Sequence, residues 1–303
     1  MSVPARRRVL QALGSAALLP GAHAAPAANE PAPPPFARRT LRTSDGVALS
    51  ALECRDAAAA TGAARPTIVF LPGWCMPATV WRGQLIALAR RWPALAIDPR
   101  GQGESDVPRG GYTADRRADD LHDALQALVP DGRVVLVAWS LGVLEALQYV
   151  ARHGSGRLQA LALVDNSIGE PPPPAYNPEF LRKLRSDRAA TVERFVRSMF
   201  TQPPPESLLA EMRASALRMP LEASIQLLTW PLPREHWREV AQGFDRPLAY
   251  LVTPRFREQS EHLREARPAS RVEVFEHAGH ALFVDEGERF NRVLGEWVGE
   301  SLG

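Results

Sequence analysis

Lysine and cysteine are almost missing from this 303-residue chain, and no apolar run is long enough to cross a bilayer. Lys183 is the only lysine, so nearly every basic side chain is arginine, a pattern we read as codon bias rather than a nucleic-acid surface. Cys54 and Cys75 are the only cysteines. Two cysteines make no disulfide framework and their C-x20-C spacing suits no metal, so both are expected as free thiols. Charge imbalance is also lacking: 36 basic side chains face 34 acidic ones. A chain this close to neutral excludes nucleic acid and a basic membrane-binding face as partners. No internal repeat is visible. Gly101-x-Gly103 lacks both the third glycine and the immediate helix of a dinucleotide fingerprint, so no cofactor is expected.

What is present fits an ordinary soluble globular chain, with 45% hydrophobic and 23% charged residues. The 28 prolines cluster at 32–35, 171–174 and 203–205 and act as punctuation. Ahead of the first cluster, "MSVPARRRVLQALGSAALLPGAHAAPA" carries a basic stretch at Arg6–Arg8, a weakly apolar stretch from Val9 to Leu19, and the small-x-small signal Ala22-His23-Ala24. The apolar stretch is too short for an anchor. An export signal over 1–24 and a Pro/Ala-rich spacer over 25–36 are therefore expected, and with them a periplasmic or secreted protein. Arg6-Arg7 resembles a twin-arginine signal, and the ordinary secretory route fits as well. Cleavage after Ala24 would remove three arginines and bring the mature chain still closer to neutrality.

Downstream, the hydrophobic period switches repeatedly between two residues and three to four. "RTLRTSDGVALSALEC" reads as a hairpin about Ser44-Asp45-Gly46. Strands follow at "RPTIVFLPGW", "ALAIDPRG", "RVVLVAWS", "LQALALVDNS", "RPLAYLVTP" and "RVEVFE". Helices lie between them, at about 78–91, in "TADRRADDLHDALQALV" with its charged face in solvent, in "LEALQYVARHG", and finally over 290–298. A helical stretch over roughly 178–244 interrupts the alternation. Strands alternating with helices pair in parallel through right-handed crossovers. The fold class is therefore α/β: a doubly wound, mostly parallel sheet, with its core over 37–170 and 245–303 and a helical cap over 171–244.

Within "VVLVAWSLGV" a hydroxyl interrupts a buried strand. A nucleophilic serine has to stand clear of the backbone, and a tight strand-to-helix turn does this only if the residues two before and two after are small. Ala138 and Gly142 flank Ser140 at those positions. The turn also sets Ser140 at a helix N-terminus, where free amides favour developing negative charge. The bland alternative is a plain helix N-cap.

Ala138-Trp139-Ser140-Leu141-Gly142 resembles the nucleophile elbow of the α/β-hydrolase fold, with alanine in place of the usual first glycine. Three further segments resemble that family in the expected order: "FLPGWCMPATVW" for its H-G loop, with Pro72 where histidine is common; "DPRGQGES" for its D-x-R-G-x-G-x-S loop, read here as a structural turn; and "HAGHALFVDE" for its terminal G-H loop. The resemblance covers about 40–298. It implies Ser140 as nucleophile, His280 as base, and an oxyanion hole formed by the amides of Trp74 and Leu141. Imidazole suits the base because it titrates near working pH. His277 competes and reads better as a strand-end polar residue. A metal on His277 and His280 would lack further ligands, so none is expected.

The acid stays open. The common position follows "RPLAYLVTP", where this chain reads "VTPRFREQSEHL" and has no aspartate. Asp165 ends the preceding strand, where some family members, certain haloalkane dehalogenases among them, keep theirs. Glu258 in the loop, or a dyad with no acid, are the alternatives, and Asp165 could simply cap a turn. The cap supplies Phe180, Leu184, Phe195, Met199, Phe200, Met212, Leu217, Met219, Leu227 and Trp230; many of these are expected to pack its helices and some to line an apolar pocket, joined by Trp139 and Met76. The activity implied is hydrolysis of a small carboxylic ester through an acyl-enzyme. Carbon–carbon bond cleavage, peracid formation and a non-catalytic binding role are the other readings.

Overall fold

The computed structural model describes residues 36–54, 65–174 and 178–302. The expected export signal, and all but the last residue of the spacer, lie outside these. Strand β1 (Phe36–Arg42) folds back on β2 (Ala48–Cys54), in register from Phe36 opposite Cys54 to Arg42 opposite Ala48. Their turn closes where the Gly46 amide donates to the Thr43 carbonyl at 2.8 Å. Six more strands follow: β3 (Thr67–Leu71), β4 (Ala94–Asp98), β5 (Val134–Trp139), β6 (Leu158–Val164), β7 (Leu248–Val252) and β8 (Arg271–Val274). They make one eight-stranded sheet in the order β1-β2-β4-β3-β5-β6-β7-β8. β2 is antiparallel to both its neighbours and every other pairing is parallel.

Burial of the central strands on both faces explains their unbroken apolar sequences. Ile68, Phe70, Val135, Val137 and Trp139 point into one core. Val69, Leu71, Val134, Leu136 and Ala138 point into the other. The first core is aromatic: Trp81 stacks on Phe283 with ring centres 3.9 Å apart, and Phe283 meets Trp139 edge-on at 5.0 Å. On the helical side α1 (Arg82–Ala89) follows a single 3-10 turn at Ala78–Trp81, so the one helix expected over 78–91 is two pieces. α2 (Ala114–Leu128) is capped by Thr113, whose hydroxyl accepts from the Arg116 amide at 3.2 Å. α3 (Leu141–His153) springs from the end of β5. The cap between β6 and β7 holds α4 (Pro178–Ser186), α5 (Arg188–Arg197), α6 (Glu206–Arg218), α7 (Leu221–Gln226) and α8 (Arg234–Gly243). α9 (Arg257–Ala266), α10 (Leu282–Asp285) and α11 (Gly287–Glu300) complete the chain, the last longer at both ends than expected.

The charged run of α2 departs from expectation. Arg117 and Asp120 are buried rather than solvated, at 2% and 3% exposure. Arg117 pairs with buried Glu145 of α3 at 2.5 Å, and Asp120 pairs with buried Arg100. Opposite charges that neutralise each other can lie under a helix, and residue type alone does not reveal the partner. Cys54 and Cys75 are both buried.

Candidate active site

Ser140, Asp165, His280 and Trp74 follow β5, β6, β8 and β3, so all four stand at the C-terminal edge of the parallel strands, where α/β sheets open their crevices. Ser140 occupies φ 54°, ψ −123°, a conformation that costs a non-glycine residue roughly 1–3 kcal/mol and needs support from its surroundings. The support is visible. Its amide donates to the Val164 carbonyl at 2.9 Å, and its carbonyl accepts from the Asn166 side chain at 2.8 Å. Gly142 lets the first turn of α3 press on β3: a Cβ there would lie 2.8 Å from the Pro72 carbonyl oxygen.

Asp165 also has a positive φ, 47°, and is 1% exposed. One carboxylate oxygen, Oδ1, accepts from both the amide and the hydroxyl of Thr253, at 2.7 and 2.8 Å. The other, Oδ2, lies 2.8 Å from His280 Nδ1, and His280 Nε2 lies 2.9 Å from Ser140 Oγ. A carboxylate only accepts, so Nδ1 carries the imidazole hydrogen and Nε2 is left to accept from the serine hydroxyl. The His280 loop is itself tied down. The Trp139 indole donates to the His280 carbonyl at 2.9 Å, and Asp285 accepts from the Gly279 amide at 2.7 Å and from the Thr201 amide of the cap at 2.9 Å.

The loop after β3 lies directly over the serine. A Cβ on Gly73 would stand 2.9 Å from Ser140 Cβ and 3.4 Å from Oγ, so only glycine allows this approach. Gln102 holds the loop from below, donating to the carbonyls of Gly73 at 3.1 Å and Met76 at 2.7 Å. Arg117 in turn donates to the Gln102 side-chain carbonyl at 3.1 Å. Asp98 accepts from the Ala78 amide at 2.5 Å; burial pushes its carboxyl up from the usual range against the pull of that amide and of Arg38. Burial likewise pushes up the Glu145 carboxyl against Arg117, and the Cys75 thiol, whose residue has φ 60°. Tyr250 is raised well above an ordinary phenol by burial and by the negative charges of Asp165 and Glu170, and it donates to the Asn166 carbonyl at 2.7 Å. Trp74 and Leu141 both border the cavity over Ser140, and among the described residues neither amide donates to a protein acceptor.

The sequence family described as the alpha/beta hydrolase fold matches residues 66–287. The chain belongs to this family. It is thus an α/β-hydrolase, an enzyme of a fold whose solved members superpose closely: an esterase from Exiguobacterium antarcticum has a TM-score of 0.74 at 22% identity, covering 86% of this chain and 98% of that one. A pimeloyl-[acyl-carrier protein] methyl ester esterase of Aeromonas hydrophila is 29% identical over 249 residues, 77% of this chain and 96% of its own. A non-heme chloroperoxidase of Kitasatospora aureofaciens is 43% identical over 105 residues, 34% of this chain and only 37% of that protein.

In this α/β-hydrolase the cavity above Ser140 measures about 350 Å³; of the ten apolar cap residues, Phe180, Phe195, Leu227 and Trp230 line it, whereas Leu184, Met199, Met212 and Met219 are buried away from it and Leu217 is exposed. Trp139 and Met76, expected in the same wall, are not there. Both are fully buried in the aromatic core, because Trp139 turns inward to brace His280. Glu258 is exposed on α9, hydrogen-bonded to nothing at the site, and His277 is exposed beyond β8. Among the described residues no cluster of His, Cys, Asp and Glu could hold a metal. Sequence reasoning missed Thr253, Asn166, Asp285 and the Gln102–Arg117–Glu145 chain. Gln102 and Asp285 had a signal, their places inside "DPRGQGES" and "HAGHALFVDE".

Proposed function

We propose that the protein is a serine esterase acting on small carboxylic esters through an acyl-enzyme. Ser140 Oγ attacks the ester carbonyl carbon while His280 Nε2 takes its proton, and Asp165 steadies the imidazolium that results. The amides of Trp74 and Leu141 donate to the oxyanion of the tetrahedral intermediate. Collapse breaks the bond to the alkoxide, which leaves as the alcohol with the proton from His280. Water, deprotonated by the same nitrogen, then attacks the Ser140 ester, and the carboxylic acid departs with the serine proton restored. One observation carries this reading: the continuous hydrogen-bonded chain Ser140–His280–Asp165, at 2.9 and 2.8 Å, at the floor of a largely apolar cavity. The basic leader supports a periplasmic or secreted setting, which the N-terminal sequence of the mature protein would test.

A fluorophosphonate probe should label Ser140, and p-nitrophenyl esters of graded chain length should be turned over. Ser140→Ala should abolish both. Labelling elsewhere, or equal turnover by the alanine variant, would remove the basis of the assignment. A second reading, peracid formation, is favoured by the similarity to a chloroperoxidase. There hydrogen peroxide replaces water in attacking the acyl-serine, so that a carboxylic acid and peroxide give peracid and water. Peroxide-dependent bromination of a dye in acetate buffer would separate the two.

A further inference from the structure

The wall of the cavity holds one charged group that the proposed chemistry leaves unused. Arg255 borders the space together with Ser140 and His280, and its other neighbours there are mainly aromatic and aliphatic. The side chain is exposed, and among the described residues no carboxylate lies within ion-pair reach of it. The contrast with its neighbour is sharp: Arg257, two residues on, is closed on Glu276 at 2.6 Å. Nor is Arg255 on a loose tether. It sits in the single 3-10 turn Pro254–Phe256, which starts from Thr253, the residue that gives both its amide and its hydroxyl to Asp165. Phe256 is buried at 5% exposure, and the Arg255 guanidinium carbon lies 5.3 Å from the centre of its ring. The cation is thus held at the end of β7, on the same short segment that anchors the aspartate behind His280.

We propose that Arg255 selects esters that carry a second, anionic group, namely a carboxylate at the far end of the acyl chain, as in half-esters of dicarboxylic acids. The proposal rests on the serine-esterase reading of the site. A guanidinium fork matches a carboxylate in shape and can donate to both oxygens. The aromatic and aliphatic wall between the two poles would take the methylene chain, with the ester carbonyl at Ser140.

The test compares monomethyl esters of dicarboxylic acids with four to eight carbons against methyl esters of the matching monocarboxylic acids. At the best chain length the native enzyme should prefer the half-ester in kcat/KM. Arg255→Gln should lower that preference about tenfold, chiefly through KM, which is the size of one hydrogen-bonded charge contact. Arg255→Lys should keep part of it, Arg255→Glu should reverse it, and added salt should weaken it in the native enzyme. A preference unchanged by Arg255→Gln would overturn the proposal. A second arm needs no turnover: adipate should raise the Tm of the Ser140→Ala protein, and adding Arg255→Gln should erase the shift. A shift that depends on Arg255 without ester turnover would keep the carboxylate site and sink the esterase reading. Turnover with neither a preference nor a shift would sink the carboxylate site alone.

Discussion

The floor and the roof of the cavity are built on opposite principles. Each residue of the floor is held by hydrogen bonds from at least two directions: Ser140 by Val164 and Asn166, Asp165 by Leu251 and Thr253, the His280 loop by Trp139 and Asp285. The roof over it is apolar. α4 buries only Leu184, and its Phe180 meets Phe195 of α5 and the Trp74 ring by ring contacts alone, with centres 5.2 to 5.6 Å apart. Directional bonds fix a geometry to fractions of an ångström, whereas ring contacts are forgiving and substitutable. Chemistry on such a molecule belongs to the floor and selectivity to the roof. Substitutions below should therefore change turnover, and substitutions above should change the apparent affinity.

The severest way to break that division is to neutralise the aspartate. In Asp165→Asn the amide nitrogen can donate toward His280, favouring the tautomer that cannot accept the Ser140 proton, so kcat should fall by about 10³ to 10⁴ with KM little changed. Glu258→Gln, on the exposed face of α9, should stay within about twofold of the native enzyme. Ester turnover measured on both variants decides it. Equal losses would mean that the acid is not on the floor at all.

Most of the floor was legible in the sequence because it is written in short segments with strict steric demands. A serine between small residues at a strand end allows few conformations, and Ser140, Asp165 and His280 do meet. The alternation of strand and helix likewise gave the sheet. Which carboxylate meets His280 stayed undecided because that is set by how the ends of β6, β7 and β8 lie side by side, which no local pattern encodes. The support under the Trp74 loop was invisible for a related reason. Arg117 looked like one more charge on a solvated helix face, and only its meeting with Glu145 and Gln102 across the fold makes it a buried strut. Trp139 misled in the opposite sense, since an aromatic beside a nucleophile suggests a pocket wall until the turn is seen to aim it inward.

A smaller effect is expected where floor and loop touch. Gly73→Ala puts a methyl 2.9 Å from Ser140 Cβ, and both groups belong to braced backbone that cannot yield cheaply. The loop has to lift by some tenths of an ångström, carrying the Trp74 amide away from the oxyanion that the proposed mechanism places beside it. Loss of one well-aimed donor costs about 10² in kcat. A fall of that order, with fluorophosphonate labelling slowed alongside it, would tie the loop to the floor; a change confined to KM would assign it to the roof.

The gentlest test falls on the roof itself. Phe195→Ala removes a ring that lines the cavity and touches Trp74, so it also asks whether the roof steers the chemistry through that residue. It should not, because the Trp74 loop is held from below by Gln102, and the one directional bond the roof gives Trp74, from its indole N–H to the Ser224 carbonyl of α7 at 2.6 Å, does not involve the Phe195 ring. Removing apolar contact weakens binding of a long acyl chain by about 1–2 kcal/mol, a five- to thirtyfold rise in KM that shrinks as the chain is shortened to acetate. Turnover number should move by less than about threefold across the series. Were kcat to drop with chain-length preference intact, the ring contacts would be setting the position of the Trp74 amide, and the separation between a bonded floor and an exchangeable roof would have to be given up.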